Sequence, residues 1–403
     1  MRWAIVADDL TGAADAAVVF ADRGISTTVW LCEPRKFPDG TCCSVDANAR
    51  WRDAKSAAEA IGKHIGKLLT ANWLMLKIDS TLRGFVGSMV QAAWQASGRK
   101  WALIIPAVPK QGRKVINGKL FVHGQLVTEI DLAKEKPAPV TTPFVAERLR
   151  STGLDKFSLE NLTLEVVRQR NLLVQAIERA AADGLGLICD AETEKDLERI
   201  VSVAVKLPNQ PLFVGASGLA NALAKVTGKN SIKRRASLEF HPNRILVVVG
   251  SQQVVARKQV EFLAEEGVPV FEVKGENLPN LLKAKVSAVL LEPNWILSLS
   301  PHPQKRCQTV AKFRRWLKSS AADALIIVGG LTARAVFEAF GTSNWDLFGS
   351  LASGVPFGIA RFCGRRLLVA TKAGGFGTEK TLWQVVRKLQ VCSKSLSKQT
   401  SYE

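Results

Sequence analysis

The chain has 403 residues, 47% of them hydrophobic and 23% charged, and its 55 Lys+Arg against 36 Asp+Glu give a formal net charge of +19. That apolar fraction excludes intrinsic disorder, while a mean hydropathy of +0.07 and the lack of any apolar run near the ~20 residues of a bilayer span exclude membrane insertion. The length accommodates about two or three domains with cores of their own, and the charge leaves nucleic acid, an anionic membrane surface or an acidic small ligand open as partner.

Strand-length apolar runs alternate with helix-period segments. Residues 3–7 read as a buried strand, 12–23 as a helix stopping at Gly24, and 26–31 as a second strand. A helix over 54–69 follows, then strands at 74–78, 102–105, 186–189 and 212–214, with a helix over 164–182 among them. Such alternation predicts an α/β unit on a largely parallel sheet flanked by helices. The rhythm breaks at 225–243, where 227–235 is polar and basic and Pro242 follows. It resumes with strands at 245–249, 268–272, 288–291, 324–328 and 366–371, and helices at 254–266, 309–321 and 332–340. The expected organisation is two α/β domains, 1–226 and 244–392, joined by a basic linker 227–243 and followed by a polar tail 393–403. The active site is expected in the cleft between the domains.

Asp8 and Asp9 interrupt the N-terminal apolar run where a secretory signal would carry its core, so a cytoplasmic protein is expected. The seven cysteines form no C-x-x-C, and the four histidines form no H-E-x-x-H. Reduced, buried thiols and no protein-held metal are the expectation.

Ligands of α/β sheets bind beyond the carboxyl ends of the strands. The first strand runs into Asp8-Asp9-Leu-Thr-Gly12, two carboxylates at a helix start. One can cap the helix; the second requires another role. The strand at 74–78 ends in Lys77-Ile-Asp79-Ser80-Thr-Leu-Arg83-Gly84, which joins a cation, an acid, hydroxyls and an arginine suited to a bidentate grip on a carboxylate. A surface Lys77–Asp79 ion pair is the plainer reading, but it would not require the hydroxyls or Arg83. A basic loop after 102–105 holds Arg113 between Gly112 and Gly118. Gly215-Ala-Ser217-Gly218 brings its second glycine one residue early for a nucleophile elbow and reads as a helix entry.

Three strand ends of the second domain are glycine-rich: Gly250-Ser251-Gln252, Gly329-Gly330-Leu331-Thr332 and Lys372-Ala-Gly374-Gly375-Phe-Gly377. Backbone amides at helix starts cradle phosphates, so a nucleotide site is expected there, although neither the Walker A nor the dinucleotide glycine pattern is present.

Taken in order, Ala7-Asp-Asp-Leu-Thr-Gly-Ala13, Lys77-Ile-Asp-Ser-Thr-Leu-Arg-Gly84, Gly250-Ser251, Gly329-Gly-Leu-Thr332, Gly354-Val-Pro356 and Lys372-Ala-Gly-Gly-Phe-Gly377 resemble the four-carbon acid sugar kinases over nearly the whole chain. The resemblance implies ATP-dependent phosphorylation of a hydroxyl on a four-carbon sugar acid of the threonate, erythronate or 3-oxo-tetronate type. It implies the sugar acid in the first domain and ATP, with Mg²⁺, in the second. Asp8, Asp9, Arg50, Lys77, Asp79, Ser80, Arg83 and Arg113 would line the sugar-acid pocket, Arg83 holding the carboxylate with help from Lys77. Ser251, Gly329, Gly330, Leu331, Thr332, Gly374 and Gly375 would meet the nucleotide. Asp9 or Asp79 would orient or deprotonate the acceptor hydroxyl, and Lys372 would face the transferring phosphate. Leu331 stands where the family usually has an acid, and Ala373 where it usually has Ser. A homodimer is one expected assembly.

The rival reading, a nucleic-acid-binding or regulatory protein on this scaffold, draws on the +19 charge. Against it, no helix-turn-helix, RNP or zinc-finger signature occurs, and the tryptophans are not interleaved with Lys and Arg as stacking platforms require. A dehydrogenase is weakened by the missing dinucleotide pattern.

Overall fold

Strand β1 (Trp3–Ala7) is buried along its whole length, as a parallel strand covered on both faces must be. It leads into the helix Leu10–Ala21, whose Ala-rich sequence lets nearly every side of the helix pack inward. A computed structural model describes residues 1–34, 37–228, 242–273, 278–279, 284–292, 303–362 and 364–392. The chain divides into two units, Met1–Ile232 and Lys233–Glu403. The expected tail 393–403, and all of the expected linker except 227, 228, 242 and 243, lie outside the described residues.

In the first unit β2 (Ser26–Trp30), β3 (Thr41–Asp46), β4 (Trp73–Lys77) and β5 (Ala102–Ile105) follow β1. Next come the short antiparallel strands β6 (Arg113–Ile116), β7 (Lys119–Val122) and β8 (Gln125–Leu126), which form a sheet of their own. The unit's remaining strands are β9 (Leu159–Leu162), β10 (Gly186–Cys189) and β11 (Leu212–Gly215). The main sheet runs β2-β3-β1-β4-β11-β5-β10-β9, parallel at every pairing. The chain leaves β1 toward β2 on one side and later crosses over β1 from β3 to β4. That makes β1 a topological switch point, where crevices open at the carboxyl edge.

The second unit contains β12 (Ile245–Val249), β13 (Val270–Val273), β14 (Val286–Leu291), β15 (Ala324–Val328), β16 (Asn344–Ala352), β17 (Val355–Phe362) and β18 (Arg365–Lys372). Their order is β13-β14-β12-β15-β18-β17-β16, parallel as far as β18 and antiparallel beyond it. Val247, Ile326 and Val328 of this sheet share a core with Val260 and Leu263 of the helix Val254–Glu265 and with Val385 and Val386 of the helix Thr381–Cys392.

The α/β alternation holds in both units, with four departures from the sequence reading. β3 and β9 are additional strands of the main sheet, and the stretch from Arg113 forms the small β6–β8 sheet rather than a loop. The helix expected over 164–182 is broken at Gln169, whose backbone is extended, into Leu164–Arg168 and Arg170–Asp183. The hairpin β16–β17 adds antiparallel pairing. No helix among the described residues is long and apolar enough to cross a membrane.

Candidate active site

Because β3, β1 and β4 are adjacent and parallel, the loops that follow them meet at one edge of the first sheet. Asp9 caps the helix Leu10–Ala21 through Oδ1, which accepts from the Gly12 amide at 2.7 Å, while its Oδ2 accepts from Thr11 Oγ1 at 2.8 Å. Asp8 is free of the cap and turns to Arg50, in the loop after β3. Arg50 Nε and Nη2 donate to Asp8 at 2.7 and 2.8 Å, and Nη1 and Nη2 donate to Asp9 at 2.6 and 2.9 Å. One guanidinium thus clamps two adjacent carboxylates, and its Nη2 lies 3.7 Å from Asp79 as well.

Asp79 forms the second node. Arg83 grips it with Nε at 2.8 Å and Nη2 at 2.9 Å, Thr81 donates to it from both backbone and hydroxyl, and the remaining Arg83 nitrogen reaches Glu135 at 2.8 Å. The Arg83 Cζ also stands 6.0 Å from the centre of the Trp51 ring. Ser80 is half-buried in the same turn. Arg113, at the start of β6, is buried and feels the charges of both Asp79 and Arg83. Lys77 is buried, donates to Ile78 O at 2.8 Å and acts on the charges of Asp8 and Asp15.

The electrostatics follow from burial set against pairing. Burial raises the Asp8 carboxyl above its ordinary value, against the pull of Arg50 and with a further push from Asp9. Burial also opposes ionisation of Asp79, but the Arg83 and Arg50 charges and the hydrogen bonds from Arg83 and Thr81 prevail and hold it well below the usual carboxylate range. For Arg50, burial is outweighed by Asp8, Asp9 and Asp79, which keep it protonated.

Two motif glycines answer to close approach. A Cβ on Gly12 would lie 2.5 Å from Asp9 Oδ1 and 3.1 Å from Lys77 Nζ. Gly84 has φ +80°, and a Cβ there would lie 2.8 Å from Arg50 O. The neighbouring loops hold non-glycine residues in the left-handed region, Asn48 at φ 49° and Leu82 at φ 61°. Strain of this kind persists where the surroundings over-determine the backbone, and it concentrates at functional sites.

Three contributors went unnoticed in the sequence. Asp15 faces Lys77 and Ser217, and burial raises its carboxyl; an acid within an Ala-rich helix was the available signal. Glu135 pairs with Arg83 across 52 positions of chain. Arg148, 3% exposed, directs its guanidinium to four carbonyls: Leu82 at 3.1 Å, Gly84 at 3.0 Å, Ala138 at 2.7 Å and Pro139 at 2.9 Å. No carboxylate among the described residues pairs with it, and burial lowers its pKa to about 10. It braces the turn that presents Arg83.

In the second unit the three glycine loops lie at the carboxyl ends of β12, β15 and β18, which are adjacent. The Ser251 side chain packs directly on Gly374, and a Cβ on Gly329 would lie 3.3 Å from Ser251 N and 3.0 Å from Thr332 Oγ1. Gly330 opens the helix Gly330–Ala339, which begins at Gly329 without a side-chain cap, so its first amides are unclaimed by any capping oxygen. Leu331 is exposed, Thr332 is buried, and Gly375 is exposed near Gln253. Lys372 is 1% exposed, and its ammonium donates to the carbonyls of Ala373 and Gly374 at 2.9 and 3.5 Å. Burial lowers its pKa to about 8. Gln259, sequestered on the helix Val254–Glu265, donates to Phe376 O and Thr378 O and buttresses this loop. Unclaimed helix-start amides beside a buried cation suit the phosphates of a nucleotide.

A charged carboxyl-edge site in one α/β unit and a phosphate-type glycine cradle in the other define a small-molecule enzyme of the group-transfer class. The family comparison agrees: a sugar-binding N-terminal domain matches residues 3–223, and a nucleotide-binding C-terminal domain matches residues 299–382. The chain belongs to the four-carbon acid sugar kinase family. It is 29% identical to the D-threonate kinase of Salmonella typhimurium, covering 95% of this chain and 97% of that protein. It is 26% identical to the 3-oxo-tetronate kinase of Brucella melitensis, covering 94% of each. A solved Haemophilus influenzae protein, described as a domain of unknown function, superimposes with a TM-score of 0.71 at 21% identity over 96% of this chain and all of that one, a likeness of fold.

Proposed function

We propose that the protein transfers the γ-phosphoryl group of ATP to a hydroxyl of a four-carbon sugar acid of the threonate, erythronate or 3-oxo-tetronate type. Residues 1–226 take the sugar acid and residues 244–392 the nucleotide. The observation that carries this reading is the linked cluster of Asp8, Asp9, Arg50, Asp79 and Arg83 at the switch point of a chain whose first domain matches a sugar-binding family. Two full-length relatives named D-threonate kinase and 3-oxo-tetronate kinase support the substrate class.

Phosphoryl transfer asks a protein for positioning and charge neutralisation more than for covalent chemistry. Arg83, assisted by Lys77, holds the acid's carboxylate. Asp9, more exposed than Asp79, orients the acceptor hydroxyl and accepts its proton; positioning counts for more than base strength because the transition state is loose. Lys372 and the first amides of Gly330–Ala339 hold the phosphates in place. ATP supplies the phosphoryl group, and Mg²⁺ bound with it would neutralise phosphate charge. Mg²⁺ would arrive with the nucleotide.

The test is ADP release from ATP and Mg²⁺ over a panel of tetronic acids, run beside a salt-dependent DNA-binding measurement. At least one four-carbon acid is expected to stimulate ADP release with saturation. Retention of DNA with no acid-stimulated release would overturn the kinase reading in favour of a nucleic-acid-binding role.

A further inference from the structure

Every side-chain nitrogen of Arg83 is engaged, Nε and Nη2 with Asp79 and Nη1 with Glu135. Arg50, Lys77, Arg83 and Arg113 share the sugar-acid cluster with Asp8, Asp9, Asp79 and Glu135, while Asp15 stands against Lys77. A carboxylate that binds Arg83 therefore does so by exchange, taking over an edge that a protein carboxylate already holds. The four clustered carboxylates are unequal candidates for that exchange. The side chains of Asp8, Asp9 and Asp79 are 0%, 16% and 8% exposed, and each is held by two nitrogens of one arginine. Glu135 is 31% exposed and meets Arg83 through a single nitrogen.

The backbone around Glu135 is tied down. Val140 N donates to Ala133 O at 2.7 Å, closing the loop 133–140 at its base, and Arg148 pins Ala138 and Pro139. Glu135 lies within this closed loop, so its side chain can leave Arg83 by rotamer change while the backbone stays in place. A partly exposed, single-contact ion pair contributes little net free energy, and a ligand carboxylate in good geometry can displace it.

We propose that Glu135 is a gating carboxylate and a specificity-determining residue: it occupies the outer edge of Arg83 and yields that edge to the carboxylate of the substrate. The proposal rests on Arg83 being the acid's partner, as proposed above. A neutral polyol has no charge with which to displace Glu135, so the gate selects acids over uncharged sugars.

The test is steady-state kinetics of the full-length protein with ATP, Mg²⁺ and the best tetronic acid, comparing wild type with Glu135→Gln, Glu135→Ala and Arg83→Met. Both Glu135 variants are expected to lower KM for the acid by about two- to fivefold, the upper part of the range an exposed ion pair spans, with kcat moving less than KM. A raised KM would make Glu135 a support for Arg83 rather than its competitor, and an unchanged KM would remove it from the site; either result overturns the proposal. Arg83→Met separates this failure from failure of the parent reading. Loss of acid saturation in Arg83→Met beside an unchanged KM in the Glu135 variants sinks the gate alone. An unaltered KM in Arg83→Met sinks the Arg83 assignment and the gate with it.

Discussion

Replacing Arg50 with methionine is expected to lower the unfolding free energy by about 3–5 kcal/mol at neutral pH, the usual consequence of stranding buried charges without their partner. Arg50 is the common counter-ion of Asp8 and Asp9 and lies close to Asp79. The remaining cation near Asp8, Lys77, is shared with Asp15. The deficit has a pH signature. Asp8 already sits above its ordinary value because it is buried, and loss of Arg50 raises it further. Once protonated, Asp8 needs no counter-charge, so the gap between variant and wild type narrows as pH falls. Asp79 behaves in the opposite sense in the wild type. Its carboxyl is depressed, so the stability it contributes is present above the unfolded-state pKa and is lost only as pH falls through the folded one. Urea unfolding of variant and wild type at pH 7 and pH 5 measures the narrowing of that gap; the Asp79 contribution is present at both and is lost only at more acid pH. A loss below about 1 kcal/mol at pH 7, the scale of an exposed pair, would show that Arg50 does not hold the cluster together.

Lys372→Met is expected to move activity and stability in opposite directions. Turnover should fall by about 10²- to 10³-fold, the cost of removing a preorganised group that meets developing charge. The fold should become more stable. Lys372 places an ammonium in the interior against carbonyls alone, and burial lowers its pKa from 10.5 to about 8. A depressed lysine destabilises the folded state below its folded pKa, and the cost is relieved as pH rises from about 8 toward 10.5. At pH 7 that cost is on the order of 3 kcal/mol. In the wild type, kcat/KM for ATP should therefore decline as pH passes about 8, where the ammonium of the free enzyme loses its proton. Lys372→Arg should carry that decline to higher pH. A methionine variant that is both inactive and less stable would mean that Lys372 serves the fold rather than the phosphate.

Both units were legible as α/β from apolar runs at strand length, and the charged strand ends at Asp8, Asp9 and Asp79 stand where parallel topology puts them. What escaped did so for physical reasons. β3 reads Thr-Cys-Cys-Ser-Val-Asp, with no run of large aliphatic side chains, yet it places Arg50 next to β1. β16 and β17 belong to antiparallel pairing, and along β16 burial alternates where a parallel core strand would be apolar throughout. Glu135 and Arg148 act at Arg83 and its turn from more than fifty residues away, Arg148 from the short helix Val145–Ser151. No local pattern announces a contact made at that distance. Arg148 is the sharper example, because a buried arginine answered by carbonyls leaves no complementary acid in the sequence to look for.

That arrangement bears on how the first unit opens. The carbonyls of Leu82, Gly84, Ala138 and Pro139 all depend on one guanidinium carried by the helix Val145–Ser151. None of these segments can detach without exposing the hydrogen-bonding groups of the others, so the Arg83 turn, the Glu135 loop and that helix form one cooperative opening unit. Their amides should exchange with solvent deuterium at a common rate, slower than loops of this length usually show. The proposed sugar-acid site is thus protected from local fluctuation by a residue whose guanidinium meets four backbone carbonyls.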